Sequence, residues 1–223
     1  MKLLKSFGPA ATCAALFAVP LVAQAGLIIE LTDGASSTFI SDNGAGDIDG
    51  LTGGIAYFGS FKTWEVTFAM GTSATDPFEM HLTSSVAGNA GDGLLTIRLT
   101  NTDLAAGASP LLFAAGGGGY GATGSTGSWA AYVDDSNTAF GTEKTVLTSD
   151  GYTSTNGGAS FDLSGLYSAT LSTTFDYTGV TVTAPHRIAS SLDVGMKVPE
   201  PASILLAGAG FLALGARKRL RKV

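Results

Sequence analysis

From Gly26 to Lys197 apolar residues recur at every second position, and this period of two restricts the segment to β-structure. Phe78, Met80 and Leu82 alternate with Glu79, His81 and Thr83, and Leu95, Ile97 and Leu99 alternate with Thr96 and Arg98. Trp64, Val66, Phe68 and Met70 alternate with Thr63, Glu65, Thr67 and Ala69. Tyr167, Ala169, Leu171, Thr173, Phe175 and Tyr177 keep one parity, as do Ile188, Leu192 and Val194. Successive side chains of a strand point to opposite faces, so each run carries one apolar and one polar face, as half-buried antiparallel strands require. Turn chemistry separates the runs, at Asp33-Gly34, Asn43-Gly44, Gly53-Gly54, Asn89 to Gly93, Asp150-Gly151 and Asn156-Gly157-Gly158. The expectation is an all-β fold, an antiparallel two-sheet sandwich or jelly roll. No repeat of fixed period is present, which disfavours a solenoid or propeller.

Both ends of the chain break this pattern. Met1 to Lys5 is basic, Phe7 to Val22 is apolar, and Ala23-Gln24-Ala25 forms an A-x-A cleavage site. This is the layout of a secretory signal peptide over residues 1–25, with Gly26 opening the mature chain. At the other end Val198-Pro199-Glu200-Pro201 precedes an uncharged apolar stretch, Ala202 to Ala216. Arg217, Lys218, Arg219, Arg221 and Lys222 then make the terminus basic. Fifteen helical residues reach about 22 Å, short of the ~30 Å hydrocarbon core. Pro201 suits a helix start, and the snorkelling cations after the stretch lengthen it and match the positive-inside rule. The expected organisation is thus a signal peptide, an exported domain over 26–197, and a tail over 198–223. The tail divides into a motif (198–201), a membrane span (202–216) and a stop-transfer end (217–223).

In its motif, glycine-containing apolar segment and basic end, the tail resembles the PEP-CTERM sorting signal. The resemblance implies Sec-dependent export, a transient stay in the inner membrane, and processing by exosortase, an integral-membrane transpeptidase-like enzyme. It further implies release to the cell surface or to the exopolysaccharide matrix. It covers residues 198–223 closely and the remainder only as a glycine-rich exported β-domain. Proteins with unrelated activities share such tails, so the tail assigns destination and not activity.

Charge narrows the partners. Residues 26–197 contain 17 acids against five cations, Lys62, Arg98, Lys144, Arg187 and Lys197, for a net charge of −12. Such a domain repels nucleic acid and anionic head groups, and it attracts divalent cations. The one cysteine, Cys13, lies in the signal sequence, so the mature domain has no disulfide, no thiol chemistry and no cysteine-ligated metal.

Little else carries chemistry. His81 and His186 are the only histidines, and neither H-E-x-x-H nor G-x-S-x-G occurs. Gly116, Gly118 and Gly121 match G-x-G-x-x-G formally, but Ala122 to Gly127 cannot form the helix that phosphate binding needs. This glycine patch therefore reads as a flexible loop. Asp42, Asp47 and Asp49 fall in a turn-rich nonapeptide with Asn43 and three glycines, and hard oxygen ligands of this kind suit Ca²⁺. The spacing is not that of an EF-hand, so a solvated turn without bound metal is the favoured reading. Asp134-Asp135 is a weaker acidic turn.

These observations point to a non-enzymatic surface or matrix protein. The alternative is a carbohydrate-binding module using Tyr57, Trp64, Tyr120 and Trp129. Among these aromatics Trp64 is expected in the core, and Trp129, beside the glycine patch, is expected exposed. A secreted polysaccharide-active enzyme ranks third, since no carboxylate pair stands in a catalytic setting.

Overall fold

Strand β11 (Leu166–Asp176) shows how the pattern becomes architecture. Its inward residues Tyr167, Ala169, Leu171, Thr173 and Phe175 are all buried. Its backbone pairs with β6 (Leu94–Ala105) on one side and β8 (Thr126–Asp134) on the other. The computed structural model describes residues 26–75, 78–106, 110–181 and 188–198. These residues form twelve strands and no helix. The remaining strands are β1 (Leu27–Thr32), β2 (Ser37–Ser41), β3 (Gly54–Phe61), β4 (Trp64–Thr75), β5 (Phe78–Gly88), β7 (Leu111–Tyr120), β9 (Lys144–Asp150), β10 (Thr155–Phe161) and β12 (Ile188–Lys197). All pairings are antiparallel, in two six-stranded sheets ordered β2-β1-β6-β11-β8-β9 and β10-β7-β12-β5-β4-β3. The expected all-β, two-sheet sandwich is the observed fold.

The core fills the space between the sheets. Phe78 and Phe113 of the second sheet meet Tyr167 of the first edge-on, with ring centroids 6.4 and 5.9 Å away. At the other end Trp64 packs on Tyr177 at 4.6 Å. Each such ring buries 150–250 Å² and contributes on the order of 2 kcal/mol, the main stabilisation open to a domain without disulfides. Several polar groups caught between the sheets are paired, while the buried Trp129 Nε1 finds no hydrogen-bond partner among the described residues. Ser84 Oγ lies 3.0 Å from Thr173 Oγ1 and donates to Leu192 O, while Tyr177 Oη and Ser190 Oγ lie 2.7 Å apart. Burial pushes the Tyr167 and Tyr177 phenols up to about 12.

Two expectations are corrected here. Trp64 and Val66 point inward, but Phe68 and Met70 do not continue their face: Ala69 is buried and Met70 is 49% exposed. A β-bulge between Val66 and Phe68 inserts one extra residue and inverts the parity. Gly71 then faces the core, where a Cβ would stand 2.7 Å from Leu99 Cδ2. The second correction concerns the glycine patch. Gly116 to Gly119 are the outer half of β7, paired with β10 and β12, and not a flexible loop.

The outer faces of the two sheets differ. Across the first sheet, residues 135–143 lie as a strap. Thr100 Oγ1 accepts the Phe140 amide at 3.2 Å, Ser168 Oγ donates to Thr138 O at 2.6 Å, and Asn137 and Asp103 bond reciprocally at 2.8 Å. Beside the strap the Arg98 guanidinium sits 5.2 Å from the Phe140 ring centroid and pairs with Glu30, which also accepts from Ser37. Among the described residues no comparable strap crosses β7, β12 and β5 in the second sheet, where Glu79, His81, Asp193 and Lys197 are exposed.

Candidate functional site

The open face of the second sheet carries a groove of about 440 Å³. Register creates it. Asn156 of β10, Gly116 of β7, Gly195 of β12 and His81 of β5 are successive cross-strand neighbours, so two residues without side chains lie between an amide and an imidazole. Adjacent strands are about 4.8 Å apart, which sets Asn156 and His81 about 14 Å apart across the floor. The neighbouring row runs Gly158, Ala114, Lys197 and Glu79, placing both charges on one wall. His81 Nε2 lies 3.0 Å from Glu79 Oε1, and its ring leans over Gly195, where a Cβ would stand 2.8 Å from His81 Cε1. The hydrogen bond from His81, with the charges of His81 and Lys197, holds the Glu79 carboxyl below its usual range. The result is a flat, small-residue floor rimmed by one amide, one imidazole, one carboxylate and one ammonium group. The rim thus offers both hydrogen-bond donors and acceptors, with charges of opposite sign side by side.

Sequence reasoning placed His81 on the polar face but did not find this groove. The available signal was glycine inside a strand, which marks a close approach of backbone or ligand. Both faces of β7 use it. Gly116 opens the floor outside, and Gly117 makes room inside for the indole of Trp129. Trp129 is consequently 2% exposed, which overturns the expectation that it stands free on the surface. Trp64 is in the core as expected, Tyr57 is half-buried, and Tyr120 is 60% exposed at the end of β7.

The acidic nonapeptide closes a sheet edge. Asp47 accepts the amides of Asn43 (2.8 Å), Asp49 (3.0 Å) and Ala56 (3.0 Å), and the Ile48 amide donates to Ala56 O at 3.0 Å. The loop thereby covers the free edge of β3 at Ala56, a device that blocks pairing with another chain. Partial burial raises the Asp47 carboxyl, but the amides of Ala56, Asp49 and Asn43 outweigh it and hold the group below its usual range. Asp42 accepts from the Gly53 amide and from Asn43 Nδ2, and the Asp49 carboxylate lies against Gly54. Among the described residues, the three carboxylates that converge within 4.8 Å are instead Asp134, Asp135 and Glu143. Lys144 already bridges two of these, at 2.7 Å from Asp135 and 2.9 Å from Glu143, and Ser136 bonds Asp134.

A second depression, on the first sheet, has Asp150 and Asp176 on its rim with Thr126, Ser128 and Thr174. Asp176 caps the Thr178 amide at 2.8 Å.

Of the tail, only Val198 lies within the described residues. Strand β12 ends at Lys197, and the Val198 amide donates to Phe78 O at 3.0 Å, extending the ladder by one residue. Pro199, Glu200, Pro201 and the cations Arg217, Lys218, Arg219, Arg221 and Lys222 lie outside them, as do Ala23, Ala25 and His186. Gly26 leads into β1 near Thr102, at the same pole of the sandwich as Val198. Leu27 pairs with Asn101, Asn101 bonds Ser73 at 2.6 Å, and Ser73 pairs with Met80, the partner of Met196.

The class of protein is thus an all-β sandwich whose last central strand runs directly into a sorting tail. Residues 197–220 match the PEP-CTERM protein-sorting motif, so the chain carries the signal of exosortase-targeted, secreted proteins. No curated protein matches the chain.

Proposed function

We propose that the protein is exported through the Sec machinery, held in the inner membrane by residues 202–216, and processed by exosortase. It then serves as a non-enzymatic component of the cell surface or exopolysaccharide matrix. The observation that carries this reading is the sorting motif joined without a spacer to a folded β-domain. The net charge of −12 and the absence of any mature cysteine fit an exported, soluble and nucleic-acid-free life. Replacement of Pro199, Glu200 and Pro201 with alanine tests it. The variant should accumulate as a membrane-held precursor, and release at the mature mass would refute the assignment.

The groove favours a second reading, a carbohydrate-binding surface. A floor of Gly116, Gly195 and Ala114 lets a sugar chain lie against backbone, with Asn156, Glu79 and His81 meeting its hydroxyls. A glycan array of the purified protein should then show signal that falls in Asn156→Ala and His81→Ala. An array that stays blank removes this reading and leaves the first intact.

A further inference from the structure

The sorting motif begins inside the sheet. Its match starts at Lys197, which is also the last residue of β12 and lies opposite Glu79 on one side and Ala114 on the other. Val198, the next residue, gives its amide to Phe78 O and packs half-buried against the core. From Val198 to Ala202, where the uncharged apolar stretch opens, the chain has four steps, at most about 14 Å when fully extended. Enzymes and domains that read extended peptides do so through main-chain hydrogen bonds over several consecutive residues. Here the main chain on the amino side of Pro199 is already bonded into a central strand.

We propose that the sandwich and the processing enzyme compete for Lys197 and Val198, so that the end of β12 must peel from β5 and β7 before the motif is engaged. This rests on the exosortase reading above and adds a requirement to it. Strand ends open locally at low free energy. The peel is bounded by Met196, which is 1% exposed and anchors the strand in the core. Processing therefore follows the opening of this one corner and not global unfolding. The full chain, once its last strand has docked, is handled more slowly than its motif alone allows.

A pulse-chase of the full-length protein in its own host tests the competition. Inserting Gly-Ser-Gly-Ser between Val198 and Pro199 supplies free main chain without peeling. The precursor should then disappear about fivefold faster, the factor that one hydrogen bond's net free energy represents. The opposite change uses the Glu79 and Lys197 pair. Because Val198 and Phe78 are a hydrogen-bonded pair, the preceding pair is non-bonded, with Cα atoms about 4.5 Å apart, within disulfide range. Glu79→Cys with Lys197→Cys should lock the corner and slow processing when oxidised, and a reductant should restore the rate. Equal half-lives for the wild type, the insertion and the oxidised lock would overturn the competition while leaving sorting in place. A wild-type chain that never reaches the mature mass would instead overturn the sorting reading, and this inference with it.

Discussion

The indole of Trp129 lies against Gly117 where any other residue would place a side chain: a Cβ there would stand 3.1 Å from Trp129 Cε2 and 2.6 Å from Asp193 O. Neither neighbour yields easily, since one is a buried ring and the other is backbone. Gly117→Ala should therefore destabilise the protein by about 1–3 kcal/mol. Tryptophan emission during urea unfolding reads it directly, because Trp64 and Trp129 are both buried and both become exposed together. An unchanged midpoint would mean that β7 sits further from β8 than described.

The pairing of buried Glu30 with half-buried Arg98 gives a second test. Glu30 has a side chain only 5% exposed, and Arg98 supplies its counter-charge. Arg98→Met strands a carboxylate beside the strap and should cost about 3 kcal/mol. Adding Glu30→Gln in the same chain should recover a large part of this loss, and a double variant no better than the single would refute the pairing. Chemical denaturation of the four proteins of the cycle measures it.

Acid stability should depend on Asp33. The hydrogen bond from Lys62 Nζ, together with the Ser36 and Ala35 amides, holds this carboxyl at about 2, below its ordinary 3.8. A depressed carboxylate stabilises the fold above its unfolded value, and that contribution is lost as pH falls through the folded value. Stability should thus decline between about pH 4 and pH 2. In Lys62→Met the decline should be shallower across the same window. Identical pH profiles would show that Lys62 does not hold Asp33 in solution.

The acidic loop predicts a response to substitution and a contrasting one to metal. Asp47→Ala removes the acceptor for three amides and should cost about 1–3 kcal/mol. With these carboxylates engaged by backbone, Ca²⁺ and Mg²⁺ should raise Tm equally by screening the acidic surface. A rise specific to Ca²⁺ that vanishes in Asp47→Ala would reveal an ion site at Asp42, Asp47 and Asp49.

Alternation made the two sheets legible because burial on one face constrains sequence strongly. Tyr167 to Phe175 kept one parity through a whole central strand. Phe68 and Met70 were misplaced because a bulge adds a residue without leaving a mark in composition. The glycine run misled for a related reason: local propensity makes it a loop, but long-range packing against Trp129 and Ser191 makes it a strand. The groove escaped notice because it depends on register, which brings Asn156, Gly116, Gly195 and His81 into one row from four distant segments. The sorting tail needed no fold at all, since its motif, apolar run and cations are contiguous in sequence.

Strand β12 is flanked on both sides, by β7 and β5, and its carboxyl end leads to the tail. A protein fixed to the surface through that end takes any external drag along the axis of an interior strand. Such a load shears two ladders at once and does not unzip one bond at a time. The corner at Val198 can open to a patient enzyme, yet the body of the same strand is placed to resist a sudden tug.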